Sequence, residues 1–294
     1  MERNVVDKPL VPSGPLDIEE DPISFGTRVN EFPWWLLSIF LIAIWAFYII
    51  FTNENYNEAF NFIKIGLRVT VQTALTAYGF ALILGLITGL GRLSKNIFFN
   101  NLARLYVELI RGVPILVLIF FIALVGVPTI VDGLNNFGGW LTSIGAKPLG
   151  AIFTAFNNQN VSMNSRAIVA LSVTYGAYLA EIFRAGIQSI EHGQMEAARS
   201  LGMSYGQAMR YIILPQAVRN VLPALGNDFV AMVKDSSLVS VLAVRDITQV
   251  SRLYAGSTFR FREAYVTLSV MYLTITVLLS LGVQVIERRL RAND

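Results

Sequence analysis

The sequence predicts an all-α integral membrane protein with six transmembrane helices, on three observations. Hydrophobic residues make up 54% of the 294 and charged ones only 15%, where a soluble domain carries roughly 25%. Four stretches of 19 to 23 residues carry no charge at all, and a spanning helix needs about 20 mostly apolar residues. No stretch shows the roughly ten-residue alternation of a membrane β-barrel, the other way to satisfy backbone in lipid.

The elements follow in order. Residues 1–32 are polar, with Asp17, Glu19, Glu20 and Asp21 clustered, and read as a cytoplasmic tail rather than a signal peptide. Pro33–Phe51 follows as an uncleaved anchor helix. Val69–Gly91, Val113–Val131 and Ala264–Ile286 are uncharged spans. Ala167–Ile187 is apolar but carries Glu181 and Arg184. Leu222–Val244 is the weakest span, interrupted by Asp228, Lys234 and Asp235. Residues 127–166, rich in Gly and Asn, read as a long external connection. Its Trp140, Leu141, Ile144 and Leu149–Phe156 suggest short amphipathic pieces on the membrane face. Gly85 and Gly89 permit close helix packing.

Six crossings place both termini on one side. Fourteen Lys and Arg fall in the segments that share that side and eight in the opposite set, with Lys234 inside a span. The excess marks the termini as cytoplasmic, although 245–262 dissents with four Arg.

Chemistry on side chains is poorly provided for. The chain has no Cys and one His, His192. That excludes thiolate metal sites and leaves no plausible base for a Ser nucleophile, so neither catalytic nor metal-ligating residues are expected. The net charge of +3 gives no argument for nucleic acid.

The segment at about 190–216, between the fourth and fifth crossings, is punctuated as helix–turn–helix. Gly193 can cap a helix whose first turn carries Glu196, favourable at the positive end of the helix dipole. Gly202 ends it as a left-handed residue. Ser204 caps a second helix with Gln207 as capping-box partner, and Pro215 stops that helix. Ala197 and Ala198 leave the first helix flat enough to sit in another protein's groove. The same residues also serve as plain helix formers around a turn.

Glu196-Ala197-Ala198, then Gly202, then Ile212-x-Leu214-Pro215 resembles the EAA loop of permeases of binding-protein-dependent ABC importers. Tyr106–Pro114, Lys234–Val241 and Glu287–Leu290 are similar to further segments of the polar amino acid branch. The resemblance covers about 65–290. It implies a five-helix type I importer core, with 33–51 as an added N-terminal helix and 127–166 longer than usual.

The resemblance further implies a bacterial inner-membrane subunit that moves polar amino acids by alternating access. Two permease chains, the same or homologous, form the pathway. An ATP-binding subunit receives the EAA loop through Glu196, Ala197, Ala198, Gly202, Ile212, Leu214 and Pro215, and an extracytoplasmic binding protein delivers the substrate. No GxxxxGK[ST] motif is present, so no cofactor is expected in this chain. ATP and Mg belong to the partner ATPase.

Charges inside spans suggest the substrate pathway, because each costs about 2.5–3.5 kcal/mol on insertion scales and usually faces an interior. Tyr178, Glu181, Lys234, Asp235, Ser236 and Ser237 are the candidates. Glu181 would meet an ammonium and Lys234 a carboxylate. Equally, Glu181 can pair with Arg184 one turn away. The alternative reading is an ion-gradient-driven secondary amino acid transporter, using Glu181 and Asp235 as proton or cation carriers. It lacks the inverted repeats and broken helices such proteins show.

Overall fold

The computed structural model describes residues 34–291, so the expected tail at 1–32 and Pro33 lie outside the described residues. These residues fall into two compact units, 34–45 and 46–291. The first is helical throughout and belongs to α1 (Trp34–Thr52).

Among the described residues every regular element is helical. After α1 come α2 (Glu54–Ile63), α3 (Leu67–Leu93), α4 (Ile97–Arg111), α5 (Ile115–Phe121), α6 (Val127–Ser143), α7 (Lys147–Thr154) and α8 (Met163–Gln188). Then follow α9 (His192–Ser200), α10 (Tyr205–Ala208), α11 (Leu214–Asp235), α12 (Ile247–Thr258) and α13 (Phe261–Arg291). Helix starts are signalled locally. Asn53, Asn96, Ser162, Ser204 and Asp246 each accept a first-turn backbone N–H on the side chain.

Four helical segments are long and apolar enough to cross a membrane: Glu54–Leu93, Ile115–Ser143, Met163–Gln188 and Phe261–Arg289. They overlap four of the six expected spans. The anchor at 33–51 is represented by α1, whose stretch Leu41–Thr52 is apolar but shorter. The expected span 222–244 is not among the four. Its helix α11 ends at Asp235 and gives way to a 3₁₀ turn, Ser236–Leu242, ended by Ala243 at φ +57°. Two of the charges that weakened that span in the sequence, Lys234 and Asp235, therefore coincide with the end of the α-helix, while Asp228 lies within it.

The segment 127–166 differs from expectation in its first part, while the helix Lys147–Thr154 overlaps the short piece expected at Leu149–Phe156. It is largely helical, and its first part continues the preceding span through a π turn, Ile122–Gly126, as far as Ser143. The π turn opens the backbone, and Arg166, itself buried, takes the Ala123 carbonyl at 3.3 Å. The same guanidinium holds the carbonyls of Val161 at 3.2 Å and Asn158 at 2.7 Å, tying the connection to the start of α8. α6 and α7 cross where Gly138 meets Gly150. A Cβ at Gly138 would lie 2.8 Å from the Gly150 carbonyl oxygen.

The main core sits where α3 packs along α8, around Ala77, Ala81, Leu171, Tyr175 and Leu179, with Ile119 and Met232 closing it from α5 and α11. Small residues allow the approach. A Cβ at Gly85 would stand 2.6 Å from Leu179 Cβ, and one at Gly89 would stand 2.9 Å from the Ala180 carbonyl oxygen. Gly85→Val should therefore force α3 and α8 apart, at about 1–3 kcal/mol for overpacking. The thermal midpoint of the purified protein checks this. A midpoint equal to wild type would mean that the contact is not tight.

Candidate functional site

Two groups of residues stand out. The first is the segment from α9 to the start of α11. α9 begins at His192 with Glu191 in the capping position, so Gly193 is inside the helix and not its cap. Gly202 ends the helix at φ +83°. The Met203 N–H bonds the Ala198 carbonyl at 3.2 Å and the Gly202 N–H the Arg199 carbonyl at 3.0 Å. This pair of bonds is the Schellman closure, which needs a left-handed residue. Ser204 and Gln207 form the reciprocal capping box: Gln207 N–H donates to Ser204 Oγ at 3.3 Å, and Ser204 N–H to Gln207 Oε1 at 2.8 Å.

Pro215 does not stop the second helix. A π turn, Met209–Ile213, follows α10 and the coil continues directly into α11, with Pro215 in its first turn. The Leu214 N–H bonds back to the Met209 carbonyl, five residues earlier. That wider turn makes room for the proline ring, and the Gln216 side chain donates to the Ile212 carbonyl at 2.8 Å.

The loop exposes four large apolar side chains among polar ones. Ala198 is buried while Glu196 and Ala197 are exposed. Leu201 is 85% exposed and Tyr205 59%. Tyr211 and Leu214 are exposed as well, and Ile212 is half-buried. Sequence reasoning missed Leu201 and Tyr205. The signal was a large apolar side chain on each flank of a turn with no core to enter.

The second group holds the charges within the spans. Glu181 is ion-paired with both Arg92, from the end of α3, and Arg184. The pairing with Arg184 is the one that the sequence also offered, and Arg92 is a second partner. Arg111 adds to the cluster, its guanidinium 5.8 Å from the Tyr178 ring centre.

Asp235 is placed differently. Tyr175 Oη donates to its Oδ2 at 2.7 Å, and the Tyr175 ring lies 5.9 Å from that of Tyr178. Two turns earlier on α11, Asp228 is half-buried, with Oδ2 buried and without a hydrogen-bond partner. Lys234 is exposed. Ser236 is buried and bonds the Val233 carbonyl at 2.7 Å, and Ser237 is half-buried. The structure thus brings Tyr178 and Asp235 together through Tyr175, with Glu181 one turn after Tyr178 on α8 and Arg111 over the Tyr178 ring. Asp228 was legible as a charge in a span but was not singled out.

Comparison with known proteins decides the family. Residues 81–292 match the model of the binding-protein-dependent transport system inner membrane component. The chain belongs to that family. The permease is 35% identical over 231 residues to a probable amino-acid permease of Bacillus subtilis, covering 79% of this chain and 92% of that one. It is 31% identical over 226 residues to a glutamine transport system permease of Escherichia coli, covering 77% and 91%. Among solved structures it resembles an amino acid ABC transporter crystallised with histidines, at 34% identity and TM-score 0.63, covering 78% of this chain and 94% of that one. The inward-facing methionine transporter MetNI shares the fold at 18% identity and TM-score 0.58, over 78% and 96%.

The permease is therefore a multi-pass membrane protein of an importer class that works with an ATPase and a binding protein. The family match gives no support to a secondary transporter.

Proposed function

We propose that this permease moves polar amino acids inward, driven by ATP hydrolysis on a separate subunit that docks on residues 192–215. The observation that carries the reading is the surface of that segment: a rigidly closed turn at Gly202 with Leu201 and Tyr205 exposed beside Glu196 and Ala197. A water-facing loop gains nothing from such side chains unless a partner covers them. Ile212, Leu214 and Pro215 shape the start of α11 and orient the turn. ATP and Mg stay on the partner. Both termini face the cytoplasm of a bacterial inner membrane, and two permease chains, the same or homologous, complete the pathway.

The relatives' names, amino-acid and glutamine permeases, support an amino acid as substrate. In the pathway Asp235, oriented by Tyr175 beside Tyr178, offers the carboxylate for its ammonium, with the unpartnered oxygen of Asp228 close in sequence. A charge crossing a low-dielectric interior needs such a partner. Ser236 and Ser237 flank it, and Lys234 lies outside this group.

The test is uptake into proteoliposomes holding the permease, its ATPase and its binding protein. Uptake should follow internal ATP, survive a collapsed ion gradient, and fall by tenfold or more, about 1.4 kcal/mol, in Asp235→Asn. Uptake that follows an ion gradient without ATP would overturn the reading.

A further inference from the structure

Among the described residues, Asp228 and Asp235 of α11 have no cation paired with them. Both are half-buried. Seven residues apart, they share one face of the helix, about 10 Å from each other along its axis. Tyr175, buried on α8, lies within electrostatic reach of both and donates its hydroxyl to Asp235. Asp228 Oδ2 is buried without a hydrogen-bond partner. Lys234, next in the chain to Asp235, is exposed and makes no ion pair with it. Two partly desolvated anions without a counter-charge are costly to hold, and a cation that settles between them removes that cost.

A cationic pole lies on the other side of two aromatic rings. The Tyr175 ring is 5.9 Å from that of Tyr178, and the Arg111 guanidinium is 5.8 Å from the Tyr178 ring centre. Glu181, one turn after Tyr178, is taken by Arg92 and Arg184, and no ion pair among the described residues engages Arg111. Its planar fork of donors suits a carboxylate. The ammonium and carboxylate of an α-amino acid sit on one carbon, so that head group alone does not reach from Arg111 past both rings to Asp235. A side chain that ends in a cation does.

We infer that the substrate is a basic amino acid, with its α-carboxylate on Arg111 and its distal cation between Asp235 and Asp228. This rests on the reading that amino acids pass these residues, and narrows it: the cation at Asp235 is that of the side chain. A neutral side chain such as that of glutamine leaves both carboxylates without a counter-charge, and an acidic one adds a third anion. Selectivity then follows from which substrates strand a charge.

The test uses the purified permease assembled with its ATPase, without the binding protein, so that selection by that protein does not enter. Equilibrium dialysis compares lysine with norleucine, which lacks only the distal ammonium, with cadaverine, which lacks only the carboxylate, and with glutamine. Lysine should bind roughly tenfold or more tighter than each. Asp228→Asn and Asp235→Asn keep the size of the side chain and should each bring lysine down towards norleucine. Arg111→Gln should bring it down towards cadaverine. Glutamine bound as tightly as lysine would overturn the basic class, as would a lysine preference that persists in both aspartate variants. Binding of none of the four would overturn the site itself. In each of these cases uptake that still follows ATP in proteoliposomes would leave ATP-driven transport standing, so the two failures are told apart.

Discussion

Gly202→Asp should insert and fold, yet lose coupled transport almost completely. In this chain a Cβ at Gly202 meets nothing within 4 Å. The cost to the isolated permease is thus confined to a left-handed φ of +83°, about 1–2 kcal/mol for a non-glycine residue. Whatever is lost beyond that reports on something docked against the turn. The expected result is a thermal midpoint only slightly lowered, with ATPase association and substrate-stimulated hydrolysis reduced by tenfold or more. Normal stimulated hydrolysis would show that the turn meets no partner.

Glu181→Leu should behave in the opposite way, unfolding first and losing transport as a consequence. The carboxylate holds two guanidiniums, Arg92 and Arg184, and each of the three side chains retains 13–27% exposure. Removing it leaves two cations partly desolvated and unpaired. The penalty is about 2 kcal/mol, between the near-zero worth of exposed pairs and the 3–5 kcal/mol of breaking buried ones. Arg92→Leu combined with Glu181→Leu should recover part of it, because one of the two uncompensated cations goes too. The thermal midpoints of the single and double variants check this. A single variant that keeps wild-type stability but loses uptake would return Glu181 to the substrate pathway.

Legibility in the sequence followed the range of the interaction. The cap at Ser204 and the end at Gly202 were readable because each is set within a few residues. A hydroxyl followed by Gln at the third position, and a residue that tolerates positive φ, carry their geometry with them. Glu181 with Arg184 was readable for the same reason, one helical turn apart. Arg92, 89 residues before Glu181, was not, nor was Tyr175 with Asp235, 60 residues apart.

The helical misreadings have local physical causes. Pro215 signals a stop because it breaks the regular bonding of an α-helix, but the π turn at Met209–Ile213 shifts that bonding by one residue and absorbs it. The glycines of 127–166 suggested a loop. Two of them, Gly138 and Gly150, are instead the points where α6 and α7 touch, a use of glycine that only the pairing of helices reveals.

The most direct test of the proposed coupling role is whether Leu201 is covered in the assembled importer. In this chain it is 85% exposed, and with no native Cys a Leu201→Cys variant can be labelled at that position alone. The permease by itself should react with a membrane-impermeant maleimide at the rate of a free surface thiol. Assembled with its ATPase, it should react at least tenfold more slowly. Equal rates in the two states would contradict docking on this turn, and with it the route from ATP hydrolysis to transport.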